Sequence, residues 1–123
     1  MAIVTLTPEE VDYEGLEGKT LTANYDAAED ATGFEFVNDG KTLIHIVNAD
    51  SGTCVATVDN PQSCEFGGTT VHDVEISIPT ADDYLIGPFP THRFNASITG
   101  KVAVSLTADS DVTAISARAI KLV

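Results

Sequence analysis

Three histidines, His45, His72 and His92, are the first residues to weigh for acid–base work, because imidazole titrates near neutral pH. His72 precedes Asp73, which suggests a base beside a carboxylate that would orient it. The third member of such a set is missing, since no serine or cysteine stands in an elbow such as Gly-x-Ser-x-Gly. His45 lies in the apolar run "TLIHIVN", where a satisfied histidine on a strand is a simpler reading than a ligand. His92 and Arg93 form a small basic spot in an acidic chain and are candidate partner contacts. The acids "DD" (Asp82, Asp83) and "DSD" (Asp109–Asp111) could bind Ca²⁺ with backbone carbonyls. Neither fits the EF-hand spacing and both fall where turns are expected, so they read as solvated turn acids. A glycosidase needs two carboxylates in a cleft, but among 19 acids some pair always qualifies, so the pattern selects nothing. "NAS" (Asn95–Ser97) matches the glycosylation sequon and, without a secretion signal, reads as chance. Cys54 and Cys64 show no CxxC spacing. They are either two small buried hydrophobes or a disulfide across the turn "DNPQS" (Asp59–Ser63). These residues point to no enzyme, no metal and no cofactor.

The elements that would position them are strands. "FEFV" (Phe34–Val37), "TLIHIVN" (Thr42–Asn48), "TCVATV" (Thr53–Val58), "VEISI" and "KVAVSL" alternate with period two. Val74, Ile76 and Ile78 share one face, as do Val102, Val104 and Leu106. "NDGK" (Asn38–Lys41) reads as a tight hairpin or short loop, and "ADSG" (Ala49–Gly52) as the next turn. In the tail, a parity change between Ile115 and Ile120 suggests a bulge. "TPEE" looks like a helix start, with Thr7 as cap and Pro8 in the first turn. The expected fold is all-β: one domain over residues 1–123, an antiparallel sandwich or barrel of seven to nine strands. Residues 1–25 form a short N-terminal arm with the first strands. The arm holds Ile3, Val4 and Leu6, apolar residues without a clear place in the core, which makes them candidate partner contacts.

"YLIGPFP" (Tyr84–Pro90) begins as a strand and then gives up pairing. Gly87 frees the backbone, while Pro88 and Pro90 each remove a ladder donor. The segment reads as a strand end crossing between sheets, with Phe89 as a buried anchor.

The chain carries 19 acids against 6 Lys and Arg, for a formal net charge of −13. That balance disfavours nucleic acid, whose phosphates need clustered cations. Acids scattered along the chain with so little lysine fit a halophilic source, where molar salt screens self-repulsion. No apolar run is long enough for a membrane span, and the N-terminus does not resemble a signal peptide. Folding in the cytoplasm where the chain is made is the expectation.

The segments "DAAEDATGFEFVNDGKTLIHIVN", "YLIGPFPTHRFN", "GKVAVSL" and "AISARAIKL" resemble small proteins encoded beside capsid genes in tailed viruses and proviruses of prokaryotes. The positions that carry the resemblance are Glu29–Gly33, Asn38–Gly40, Val47–Asn48, Ile86–Pro90, Phe94–Asn95 and Gly100–Val102. It covers about three quarters of the chain, is specific through order and spacing, and is poor over residues 1–25. The resemblance implies a virion structural protein, a head decoration (cement) protein on the outside of the capsid. It also implies the major capsid protein as partner, self-association often as a trimer, and no catalysis. The acidity suits a virus of a halophilic archaeon. A second class is a ligand- or glycan-binding β-sandwich module of a tail or spike. That class would favour exposed aromatics, and this chain has no Trp, three Tyr and five Phe.

Overall fold

A computed structural model describes residues 3–11, 26–28, 33–61, 73–96 and 99–122. The strands are β1 (Val4–Leu6), β2 (Glu9–Val11), β3 (Asp26–Ala27), β4 (Phe34–Val37), β5 (Thr42–Asn48), β6 (Cys54–Val58), β7 (Val74–Ile78), β8 (Asp83–Ile86), β9 (Lys101–Ala108) and β10 (Ile115–Leu122). One helical turn, α1 (Thr91–Phe94), lies between β8 and β9, and a short 3-10 turn at Val112–Ala114 leads into β10. Nine strands have three or more residues, and β3 is a two-residue bridge. They form two sheets packed as a sandwich rather than a closed barrel. Sheet one has the order β1-β4-β9-β6-β7, and sheet two has β2-β10-β5-β8 with β3 also on β10.

The alternation in sequence translates directly into burial. Phe34 and Phe36 of β4, Ile44 and Ile46 of β5, Val102 and Val104 of β9, and Ile115 and Ala117 of β10 are fully buried. A single core cluster joins both sheets. Each fully buried Ile, Val or Phe contributes about 1.5–3 kcal/mol through the apolar surface removed from water.

Several local expectations change. Of the two forms expected at Asn38–Lys41, the short loop holds and the hairpin does not: β4 pairs with β9 in sheet one, while β5 pairs with β10 and β8 in sheet two. The turn reverses the chain between sheets, which positive-φ turn residues permit as readily as reversal within one sheet. β10 runs against β5 without a bulge, from Ile115 opposite Asn48 to Lys121 opposite Thr42. Ile120 therefore lies on the outer face of sheet two beside Leu43.

"TPEE" is not a helix start. Thr7 and Pro8 carry the chain from β1 in sheet one to β2 in sheet two, and both strands pair parallel to their neighbours. The sandwich is thus mixed rather than wholly antiparallel. Two interactions outweigh the local helix signal. Leu6 enters the core with 3% of its surface exposed. Glu9 receives Arg118, whose Nε and Nη2 donate to the two carboxylate oxygens at 2.5 and 3.2 Å. Leu6 and Val4, which packs against the core cluster, therefore have a place inside this domain. Ile3 is half-buried.

Candidate functional site

The motif positions are best followed from Asn38, which ends β4. Its side chain is buried, so its amide must find partners within the protein. Nδ2 donates to the Phe89 carbonyl at 2.9 Å and to Asn95 Oδ1 at 2.7 Å. Oδ1 accepts from the Gly40 amide at 3.0 Å, closing the Asn-Asp-Gly turn. Asn95 Nδ2 donates back to the Asn38 carbonyl at 2.9 Å, and the Asn38 amide donates to the Gly100 carbonyl at 3.1 Å. One asparagine pair thus clasps the end of β4, the segment after β8, the end of α1 and the start of β9. Asn95 uses its amide in this clasp, which gives the "NAS" sequence a structural role at its first residue.

Phe89 fills the space beneath the clasp. It is 4% exposed, with its ring centroid 5.8 Å from Phe36 and 5.6 Å from Phe94. The aromatic anchor expected from "YLIGPFP" is therefore present. Pro88 and Pro90 are exposed on either side of it, and the Gly87–Pro88 peptide is cis. Gly87 has φ +121°, and a Cβ there would lie 3.1 Å from the Phe89 ring and 3.2 Å from the Thr42 carbonyl oxygen. Both the backbone conformation and the space call for glycine. Gly40 has φ +90° at the tip of its turn.

Beside this unit lies a shallow groove of about 230 Å³, lined by Pro8, Glu10, Val37, Asp39, Thr42 and Lys121. The Lys41 amide donates to Asp39 and holds its carboxyl below the usual range despite some desolvation. The Thr42 hydroxyl and Lys121, with Nζ at 3.6 Å, act in the same direction. Groove and clasp share the turn at Asn38–Gly40.

At the opposite end of the sandwich Asn48 repeats the device, a feature the sequence reading missed. Its buried Nδ2 reaches the Gly52, Ile78 and Pro79 carbonyls at 3.0, 2.9 and 3.2 Å, joining β5 of sheet two to β7 of sheet one. Asp50, also buried, accepts the Ser110 and Asp111 amides at 3.2 Å each. Asp109 accepts the Thr53 amide at 3.2 Å. Thr113 holds Asp111 below the usual carboxylate range, through its hydroxyl and then its amide. The acids of "DSD" thus cap turns, and no group of three potential metal-ligating side chains occurs among the described residues. An asparagine at a strand end followed by a turn was the available signal.

The remaining candidates that lie among the described residues do not come together in one site. His45 Nε2 lies 2.5 Å from Asp83 Oδ2, bridging β5 and β8. Asp73 accepts the Asn60 amide at 2.9 Å, while His72 lies outside the described residues. His92 and Arg93 are exposed on α1. Cys54 is a buried free thiol, and burial pushes its pKa up to about 11. Its suggested disulfide partner, Cys64, lies outside the described residues.

Comparison with protein-family models, with curated proteins and with solved structures finds no match. The functional reading therefore rests on the chain's own residues and on the motif resemblance.

Proposed function

We propose that this protein decorates the outer surface of a viral capsid, made in the host cytoplasm and held on the major capsid protein as a homo-oligomer, with a trimer favoured. The observation that carries the reading is convergence. Asn38–Gly40, Ile86–Pro90, Phe94–Asn95 and Gly100–Val102, four of the motifs that resemble decoration proteins, meet in one hydrogen-bonded unit. Four unrelated short matches would have no reason to meet in space. Their meeting supports the view that the pattern marks one inherited structural unit. The acidic composition fits the halophilic source expected for such a virus, because molar salt screens the self-repulsion of a net charge of −13.

The test is co-sedimentation of the full-length protein with undecorated, expanded capsids of the virus whose genome carries the gene, in molar salt. Saturable binding, with trimers by sedimentation equilibrium, is the expected result. Full-length folded protein that never co-sediments, at any protein concentration or salt, overturns the reading. Deletion of residues 2–7 is not a clean test, because it removes Leu6 from the core.

A further inference from the structure

β7 and β8 are consecutive strands that end different sheets on the same flank of the sandwich, joined by the turn at residues 79–82. No described strand pairs with the outer side of either. Val74 lies opposite Val58 and Ile76 opposite Ala56, both buried, so these side chains point toward the core. Tyr84 lies opposite Ile46 and Ile86 opposite Ile44, so they too point inward. Yet Val74 is 41% exposed and Tyr84 38%, and Ile76 and Ile86 are only half-buried. Leu85, on the outer face of the same edge strand, is 61% exposed. Among the described residues, Val74 and Tyr84 thus point inward yet stay exposed and Ile76 and Ile86 pack only partly against the core, while Ile78, beside the turn, is fully buried.

We propose that this flank is a docking edge for an extended segment of another protein, in which apolar residues alternate with Lys or Arg. The segment adds to the free edge of β8. Its apolar side chains cover Tyr84, Ile86, Val74 and Ile76, and its main chain takes up the open hydrogen-bonding groups. The alternation follows from the two-residue period of a strand. The cations follow from the charge of the edge. Residues 73–90 carry Asp73, Glu75, Asp82 and Asp83 and no Lys or Arg. A second copy of this chain is a poor occupant, because it would bring the same four acids. Three of its six cationic residues, Lys101, Arg118 and Lys121, are already paired with Glu35, Glu9 and Asp39. The inference goes beyond the capsid reading and stands without it, since it concerns the chemistry of the partner segment rather than its source.

The probe is a capped octapeptide of alternating valine and lysine, titrated into isotope-labelled full-length protein at 0.1 M salt. The expected result is saturable binding, with amide shifts concentrated in β7 and β8. The double variant Val74→Glu with Tyr84→Glu should lose at least tenfold in affinity, while Thr107→Glu, on an exposed site of sheet one, should bind as the parent does. If the double variant does not fold, Val74→Glu alone is used in its place. Equal binding of a valine–glutamate octapeptide, shifts centred elsewhere, or no loss in the flank variant each overturns the proposal. A parent dimer that becomes a monomer in the flank variant also overturns it, by making a second copy the occupant.

Discussion

On the flank formed by β1 and β2, inward Leu6 is 3% exposed and Val4 half-buried; on the flank formed by β7 and β8, Ile78 beside the turn is buried but Val74 and Tyr84 are 41% and 38% exposed. Both flanks are pairs of edge strands joined by a short connection, so edge position alone does not account for the contrast. On the first flank one continuous segment crosses both sheets. Val4–Leu6 pairs with β4, Pro8 ends the ladder, and Glu9–Val11 pairs with β10. That passage places Leu6 over the gap between the sheets, and the Glu9–Arg118 pair holds the far side. On the second flank the connecting turn lies at the Asn48 end, and among the described residues no segment crosses the edges beyond it. A sandwich closes on a side where a chain segment spans it and stays open where the chain only turns the corner.

The largest expected effect is at Phe89, the plug where the chain leaves the open flank. Phe89→Ala should lose about 3–5 kcal/mol in urea unfolding, through lost burial plus the cavity left between Phe36 and Phe94. A loss under about 1 kcal/mol would place the ring in solvent or against a partner. The comparison of flanks itself is tested by a pair of truncations. Leu6→Ala should cost about 2–5 kcal/mol, whereas Val74→Ala should stay within about 1 kcal/mol. Equal costs at the two sites would remove the distinction.

The clasps at the two ends should respond alike. Asn38→Ala and Asn48→Ala each strand several buried backbone groups and should cost about 1–3 kcal/mol by urea unfolding. Salt should act more weakly per residue and over the whole surface. The melting temperature should rise between 0.1 M and molar salt, and replacing the four acids of residues 73–90 by their amides should flatten that rise. A flat or falling curve for the parent would remove the halophilic argument.

The smallest effect concerns Cys54. Its folded pKa near 11 lies above the ordinary thiol value of 9.0. The neutral thiol therefore contributes stability that is present below about pH 9 and lost as pH rises toward 11. In a Cys64→Ser background, iodoacetamide at pH 8 should modify the native protein far more slowly than the unfolded chain. Equal rates would place Cys54 at the surface.

Strand existence was legible because alternation is local. "FEFV", "VEISI" and "KVAVSL" each show which side chains share a face, and the inward residues of β4 and β9 are fully buried as the pattern requires. Phe89 was legible for a similar reason, since two prolines beside a large aromatic leave no local partner for the ring. What the sequence by itself determined is thus the all-β class and most of the central strands, their two faces, several turn positions and the acidic surface. All of these follow from residues within a few positions of one another or from composition. Only the tertiary structure decided which sheet each strand joins, because the turn at Asn38–Lys41 reverses the chain equally well within a sheet or between two. It also decided that "TPEE" is a strand crossing: the guanidinium that captures Glu9 lies 109 residues away, and no local propensity contains that interaction. The clasp of Asn38 with Asn95, the reach of Asn48 to β7 and the open β7–β8 flank belong to the same class. Each depends on pairing between residues far apart in the chain, 16 positions at the nearest, which burial and hydrogen bonding select only once the strands have assembled.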